Sequence, residues 1–187
     1  MNLYIKNMVS LRCKLLVEGT LTNLGYKCTS VELGRVVINQ KIKKEQRETL
    51  NSTLSDSGLE LLQDKKAILV ELIKNAIIDL VLHSSEQMKY KFSHYLSEKL
   101  GYDYNYLSNL FSSEKGITIE KFIISVKIEH VKELLLYDEL SLTEISYKLH
   151  YSSLAHLSTQ FKKITGLTPT YFKQLADYSK RISIEDL

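Results

Sequence analysis

The sequence predicts an α+β protein: a ferredoxin-like βαββαβ module at the N-terminus, then an all-α domain with two helix-turn-helix units joined by a long helix. Three observations carry this. The first sixty residues mix runs of period two with runs of helical period, in the order βαββαβ. From residue 87 onward every apolar pattern reads as helix. Within that half, Leu107-Ser108-x-x-Phe111-x-x-x-x-Gly116-x-Thr118 returns as Leu157-Ser158-x-x-Phe161-x-x-x-x-Gly166-x-Thr168, an offset of 50. The segment before it, Leu96 to Tyr102, returns as Ile145 to Tyr151 with an offset of 49, and Phe122 pairs with Phe172. Two copies of helix, tight turn and helix are the simplest reading of that repeat.

Leu3-Tyr4-Ile5-Lys6 reads as a strand. Leu11, Leu15, Leu16, Leu21 and Leu24 recur at helical spacing, and Gly25 supplies the stop. Residues 27–33 alternate, Gly34 suits a hairpin turn, and Val36-Val37-Ile38 makes the next strand. Residues 43–57 are polar and helix-compatible, with Leu50 and Leu54 on one face. Gly58 ends that helix, and Leu59-Glu60-Leu61-Leu62 reads as a fourth strand.

Asp64 can cap a helix from 65 to about 84, whose Ile68, Leu69, Leu72, Ile73, Ala76, Ile77, Leu80 and Val81 form a broad apolar stripe. Ser84-Ser85-Glu86 is the natural break after it. The division expected is therefore 1–63 for the βαββαβ module, 64–85 for a connecting helix and 86–187 for the double helix-turn-helix domain.

In that last part a helix at 92–100 stops at Gly101, and a second at 105–115 stops at Gly116. Thr118 caps a long helix over 119–137, and Ser141 caps one over 142–149. Ser152 or Ser153 caps the next, which Gly166 closes. Thr168 caps the last, with Pro169, the single proline of the chain, at the first helical position.

Composition narrows the function classes. Of 187 residues, 44% are hydrophobic, enough to bury a core. Net charge is +3, and it is unevenly placed. Residues 1–85 hold 12 Lys and Arg against 9 Asp and Glu, while 86–187 hold 13 against 13. The helical half is thus neutral overall, so any nucleic-acid contact must rest on local placement. Two cysteines, Cys13 and Cys28, are no disulfide framework and fit a reducing compartment. No signal peptide or membrane-spanning run is read, and a cytoplasmic location is expected. No Gly-rich phosphate loop and no catalytic triad or zinc-protease signature is found, so the chain is not expected to be an enzyme.

Residues from about 80 to 176 resemble the DNA-binding domain of AraC/XylS-type bacterial transcription regulators. The resemblance rests on Tyr106-Leu107-Ser108-Asn109-Leu110-Phe111 with Gly116, on Leu142-Thr143-Glu144-Ile145-Ser146-Tyr147 and on Tyr151-Ser152-Ser153. Phe161-Lys162-Lys163 and Thr165-Gly166-Leu167-Thr168-Pro169-Thr170-Tyr171-Phe172 complete it. The family pattern has glycine where this chain has His150, a costlier residue in a left-handed turn. The resemblance implies two recognition helices that enter adjacent major-groove segments of double-stranded DNA. Asn105, Tyr106, Ser108 and Asn109 would face DNA from the first. Ser153, Leu154, Ala155, His156 and Thr159 would do so from the second. Phosphates would be held by helix N-termini and by Lys148, Lys162, Lys163 and Lys173. About 18 residues of linking helix span roughly 27 Å, against about 34 Å between successive major-groove faces.

Residues 3–62 resemble a heavy-metal-associated domain through Asn7-Met8-Val9-Ser10-Leu11-Arg12-Cys13, Leu24-Gly25 and Ser30-Val31-Glu32-Leu33. That family holds soft metals with two cysteines. Here Ser10 stands in the first cysteine's place, and a hydroxyl is a poor ligand for a soft ion. No metal or other cofactor is expected, and Cys13 is the one candidate ligand left. Cys28 falls on a predicted strand away from that loop. The module or the connecting helix is instead expected to serve a homodimer or an effector of unknown nature. Two rival readings remain at this point: a metal-handling protein acting through the N-terminal module, and an interaction scaffold that kept the fold without DNA affinity.

Overall fold

The computed structural model describes residues 1–83 and 92–175. A small antiparallel four-stranded sheet comes first and a helical domain follows. The sheet elements are β1 (Asn2–Lys6), β2 (Cys28–Glu32), β3 (Arg35–Ile38) and β4 (Glu60–Leu62), in the order β2-β3-β1-β4. β1 pairs antiparallel with both β3 and β4, and β2 with β3. Helices α1 (Leu11–Asn23) and α2 (Lys44–Ser55) connect the strands.

Period-two alternation decides which side of the sheet is covered. Leu3, Ile5, Val36 and Ile38 are buried in one core with Val17 and Leu21 of α1 and Leu50 and Leu54 of α2. Tyr4, Arg35 and Val37, the residues between them, remain half-buried on the other face. The helix α1 forms where the leucine spacing predicts it, but it buries a different edge. Leu11, Leu15 and Leu16 are 68%, 60% and 40% exposed, while Val17 and Leu21 are fully buried. Helical spacing identifies a helix; which of two apolar stripes faces inward depends on the sheet beneath it.

The helix α3 (Lys65–His83) joins the two halves and is also the first wall of the helical core. Asp64 caps it by accepting from the Ala67 amide at 2.8 Å. Leu69, Val70, Ile73, Ala76, Ile77 and Ile78 are all buried. A helix buried on most of its circumference needs apolar residues nearly all round. It also takes Glu71, Lys74 and Asn75 inside. Glu71 accepts the Asn7 backbone amide at 2.9 Å and so fastens the loop after β1 to the helix. The expected break at Ser84-Ser85-Glu86, and with it the boundary at 86, lies outside the described residues.

Six more helices follow among the described residues: α4 (Phe92–Leu100), α5 (Tyr104–Lys115), α6 (Ile119–Tyr137), α7 (Leu142–Lys148), α8 (Leu154–Thr165) and α9 (Pro169–Leu175). They build two cores strung on α6. Its N-terminal half, with Ile119, Phe122 and Val126, packs with α3, α4 and α5. Its C-terminal half, with Ile128, Val131 and Leu135, packs with α7, α8 and α9. The repeat seen in the sequence is the chemistry of these cores. Phe111 and Phe122 meet at 5.4 Å between ring centroids in the first, and Phe161 and Phe172 at 5.5 Å in the second. Aromatic pairs at such separations add roughly 0.5–1.5 kcal/mol beyond their burial.

No helix among the described residues is long and apolar enough to cross a membrane.

Candidate nucleic-acid interface

Each core holds one helix-turn-helix unit, and the two turns put different residues in the same left-handed region. In the first, Gly101 adopts φ 72° and donates its amide to the Ser97 carbonyl at 2.9 Å. In the second, His150 takes the same left-handed region at φ 55°. There the His150 amide donates to the Tyr147 carbonyl and the Tyr151 amide to the Ser146 carbonyl, both at 3.0 Å. That pair of bonds is a Schellman closure of α7, usually built on glycine. A left-handed residue with a Cβ costs about 1–2 kcal/mol, so the packing around His150 must hold it there.

That packing is visible. Tyr151, which follows His150, is 8% exposed, and its hydroxyl donates to Gln160 Oε1 on α8 at 2.8 Å. Lys127 of α6 donates to the Leu149 carbonyl at 2.8 Å and lies 5.2 Å from the centre of the Tyr151 ring. Burial pushes the Lys127 ammonium below its usual range. The equivalent tyrosine of the first unit behaves otherwise. Tyr102 is 49% exposed and stacks on equally exposed Tyr106 at 5.6 Å.

The sequence candidates lie on the outward faces of α5 and α8. Asn105, Tyr106 and Asn109 are exposed and Ser108 is half-buried, while Leu107, Leu110 and Phe111 turn inward. On α8, Ser153, Leu154, Ala155, His156 and Thr159 are all exposed, over buried Leu157 and Phe161. His156 is steered by two contacts. Its Nδ1 sits 3.0 Å from Ser152 Oγ, and its ring meets the edge of Tyr151 at 5.4 Å.

The helix N-termini differ in charge. Asp103 caps α5 and accepts from the Asn105 and Tyr106 amides at 2.9 and 3.3 Å. A carboxylate there offsets the partial positive charge that would attract a phosphate. Ser153 caps α8, accepting only from the His156 amide at 3.1 Å, and brings no charge. Lys148 ends α7, and Lys162 and Lys163 end α8, all exposed. Lys173 on α9 is also exposed but is ion-paired with Asp138. Among the sequence candidates the basic groups therefore lie on the second unit, and those on α5 are amide, hydroxyl and phenol; Lys115 ends α5. Two side chains escaped sequence reading: Tyr102, which extends the first face, and Lys127, which braces the second turn. Tyr102 was legible as a repeat identity, but nothing in the pattern gives its exposure.

In the N-terminal loop, Ser10 caps α1 and its Oγ lies 3.2 Å from Cys13 Sγ. The Cys13 thiol is also 3.8 Å from the Asn7 carbonyl, to which it donates. Cys28 lies on β2, and burial, then Glu18, pushes its thiol up. Among the described residues no cluster of three or more His, Cys, Asp or Glu is spaced to hold a metal ion.

Comparison with known proteins bears on this geometry. Residues 96–174 match the family model described as a helix-turn-helix domain. The chain is 24% identical over 156 residues to YtdP, an uncharacterised HTH-type transcriptional regulator of Bacillus subtilis, covering 81% of this chain and 20% of that protein. An uncharacterised HTH-type transcriptional regulator of Staphylococcus aureus is 33% identical over 78 residues, 42% of this chain and 10% of that one. The chain thus spans a fifth or less of these curated relatives. Among solved structures, the C-terminal domain of AraT, a response regulator from Geobacillus stearothermophilus, superposes with a TM-score of 0.51 at 27% identity, over 64% of this chain and 92% of that one. A DNA-binding transcriptional dual regulator from Escherichia coli K-12 shares the fold, with a TM-score of 0.50 at 14% identity, over 62% of this chain and 95% of that one.

Proposed function

We propose that the helix-turn-helix domain at residues 96–174 makes this chain a sequence-specific, DNA-binding transcription regulator of the AraC type, with no catalytic activity of its own. The observation that carries the reading is the doubled unit on one continuous helix, α6. α5 and α8 present exposed faces from separate cores, and each core is locked by its own phenylalanine pair. The 19 residues of α6 give a spacer of about 28 Å at roughly 1.5 Å per residue. With its end loops, that length suits two helices entering major-groove segments one turn of duplex apart, about 34 Å.

In this reading the first head reads bases with Asn105, Tyr106, Ser108 and Asn109. Asn can take adenine through two hydrogen bonds. The second head uses Ser153, Leu154, Ala155, His156 and Thr159, where an apolar side chain can touch a thymine methyl. Lys148, Lys162 and Lys163 hold phosphates beside it. Lys173 does so once a phosphate competes with Asp138. Bacterial DNA is cytoplasmic, and the protein acts there.

We assign residues 1–63 to a ferredoxin-like module descended from the heavy-metal-associated type, with 64–85 as its link to a DNA-binding domain at 86–187. The sheet order β2-β3-β1-β4 supports the first assignment, and Ser10 in place of a second thiol supports a role other than metal carriage. Leu11 and Leu15, exposed on α1, suit a homodimer contact.

The test is fluorescence anisotropy of labelled duplex DNA against the full chain over a salt series. Binding that weakens steeply with salt, with Lys162→Ala lowering the slope by about one, supports the reading. No binding to any duplex at low salt favours the scaffold alternative instead.

A further inference from the structure

A cavity of about 730 Å³ lies between the half-buried face of the sheet and α3. Small-molecule sites usually fall within about 300–1,000 Å³. Tyr4 of β1 and Lys14 of α1 lie on its wall, with three larger contributions beside them. The β2–β3 hairpin gives Glu32, Leu33 and Arg35, and α3 gives an apolar strip of Ile68 and Leu72. The end of α4 and the first turn close it with Lys99, Leu100 and Tyr102.

The wall holds an unpaid polar group. Asn75 is 3% exposed, and neither its Oδ1 nor its Nδ2 has a hydrogen-bond partner among the described residues. Buried amides without partners are rare and destabilising. The hairpin is shaped to this side chain, since a Cβ at Gly34 would clash with Asn75 Nδ2. Arg35 Nε is likewise buried without a partner among the described residues.

The cavity is also cationic. Lys14, Arg35 and Lys65 line it and form no ion pair among the described residues, whereas Lys99 is held by Asp79 at 3.1 Å. Glu32 is the other carboxylate on the wall. A ligand that complements these groups carries negative charge, an apolar body and a group able to hydrogen-bond an amide.

We propose that this cavity is an effector site for a small organic anion, with Arg35 and Lys65 holding its charge, Asn75 its polar group, and Ile68 and Leu72 its apolar body. The site is placed to reach DNA. Tyr102 belongs both to the cavity wall and to the aromatic stack with Tyr106 on the first head. That coupling rests on the DNA-binding reading above; ligand binding itself does not.

The probe is 1-anilinonaphthalene-8-sulfonate, an apolar fluorescent anion, titrated into the folded full chain. Saturable one-site binding is expected, weakened about tenfold by Arg35→Gln and by Lys65→Gln, each removing a charge-assisted contact. Asn75→Leu should lose the probe yet melt no lower than the parent, because it removes an unpartnered amide at similar volume. A purely structural asparagine would instead melt lower. Tyr137→Ser, at an exposed aromatic on α6 outside the cavity, should bind unchanged. Absence of saturable binding, or equal affinity in all three cavity variants, overturns the site. In a parallel DNA titration, saturating probe should change affinity several-fold in the parent and not in Asn75→Leu. Probe binding with no DNA affinity upholds the site and refutes the regulator reading; intact DNA affinity indifferent to bound probe refutes the coupling.

Discussion

Lys127 and Leu149 are joined by a 2.8 Å hydrogen bond from the ammonium of the long helix to the carbonyl at the C-cap of α7. The bond ties the linker directly to the turn of the second head, where a non-glycine residue is held left-handed. Orientation of that head is thus set from α6. Lys127→Met keeps the aliphatic stem but removes the donor. It should cost about 1–2 kcal/mol, the range for a charged hydrogen bond less the relieved desolvation. Thermal denaturation checks the cost, and DNA titration should show weaker recognition of the second half-site with the first preserved.

His150→Gly relieves the left-handed strain at the second turn. The unfolded chain gains freedom at the same time, so the net gain is about 0.5–1 kcal/mol. At this chain length that is a melting rise of roughly 1–4 °C. Gly101→Ala, by contrast, introduces at the first turn the strain that His150 already bears, and should lower the melting temperature.

Tyr104 and Glu120 tie the start of α5 to the start of α6, the phenol donating to Glu120 Oε1 at 2.6 Å. That hydrogen bond, chiefly, lowers the Glu120 carboxyl below its ordinary value of 4.5. A depressed carboxyl contributes stability that is present above its unfolded value and lost as pH falls through the folded one. The loss therefore falls below pH 4.5. Glu120→Gln and Tyr104→Phe should each flatten stability against pH in that window. Because Glu120 is exposed, the difference stays under about 1 kcal/mol. Urea denaturation between pH 3 and 6 measures it, and an unchanged profile in both variants would remove the assigned link.

Asn109→Ala and Lys162→Ala should fail in different ways. The first removes a base contact, costing about 1–3 kcal/mol at one operator position and relaxing selectivity there. The second removes a phosphate contact and weakens all sequences alike. Competition titrations with single-base operator variants separate the two, and identical profiles would refute the roles assigned to them.

Much of the helical half was legible because its signals are local. Gly101, Gly116 and Gly166 mark helix ends, and Thr118, Ser141 and Thr168 accept amide bonds at helix starts as their positions predict. The repeat was legible because two similar cores demand the same phenylalanines at the same spacing. Tertiary facts were not. Leu11 and Leu15 share a helical period with Leu21, yet only Leu21 meets the sheet. Tyr102 and Tyr151 are identical in the repeat, and only the second has a lysine above it and a glutamine beside its hydroxyl. Nor does any pattern announce that Asn75, a polar position on a largely apolar helix, sits against Gly34 without a partner among the described residues.

Selection of bound sites from random duplex DNA by the full chain tests two-headed reading most directly. The account predicts one enriched bipartite site, its two elements about 10 base pairs apart, with Asn109→Ala degrading only one element and Leu154→Ser only the other. Enrichment of a single short element that responds to one variant alone, or no enrichment, would contradict it.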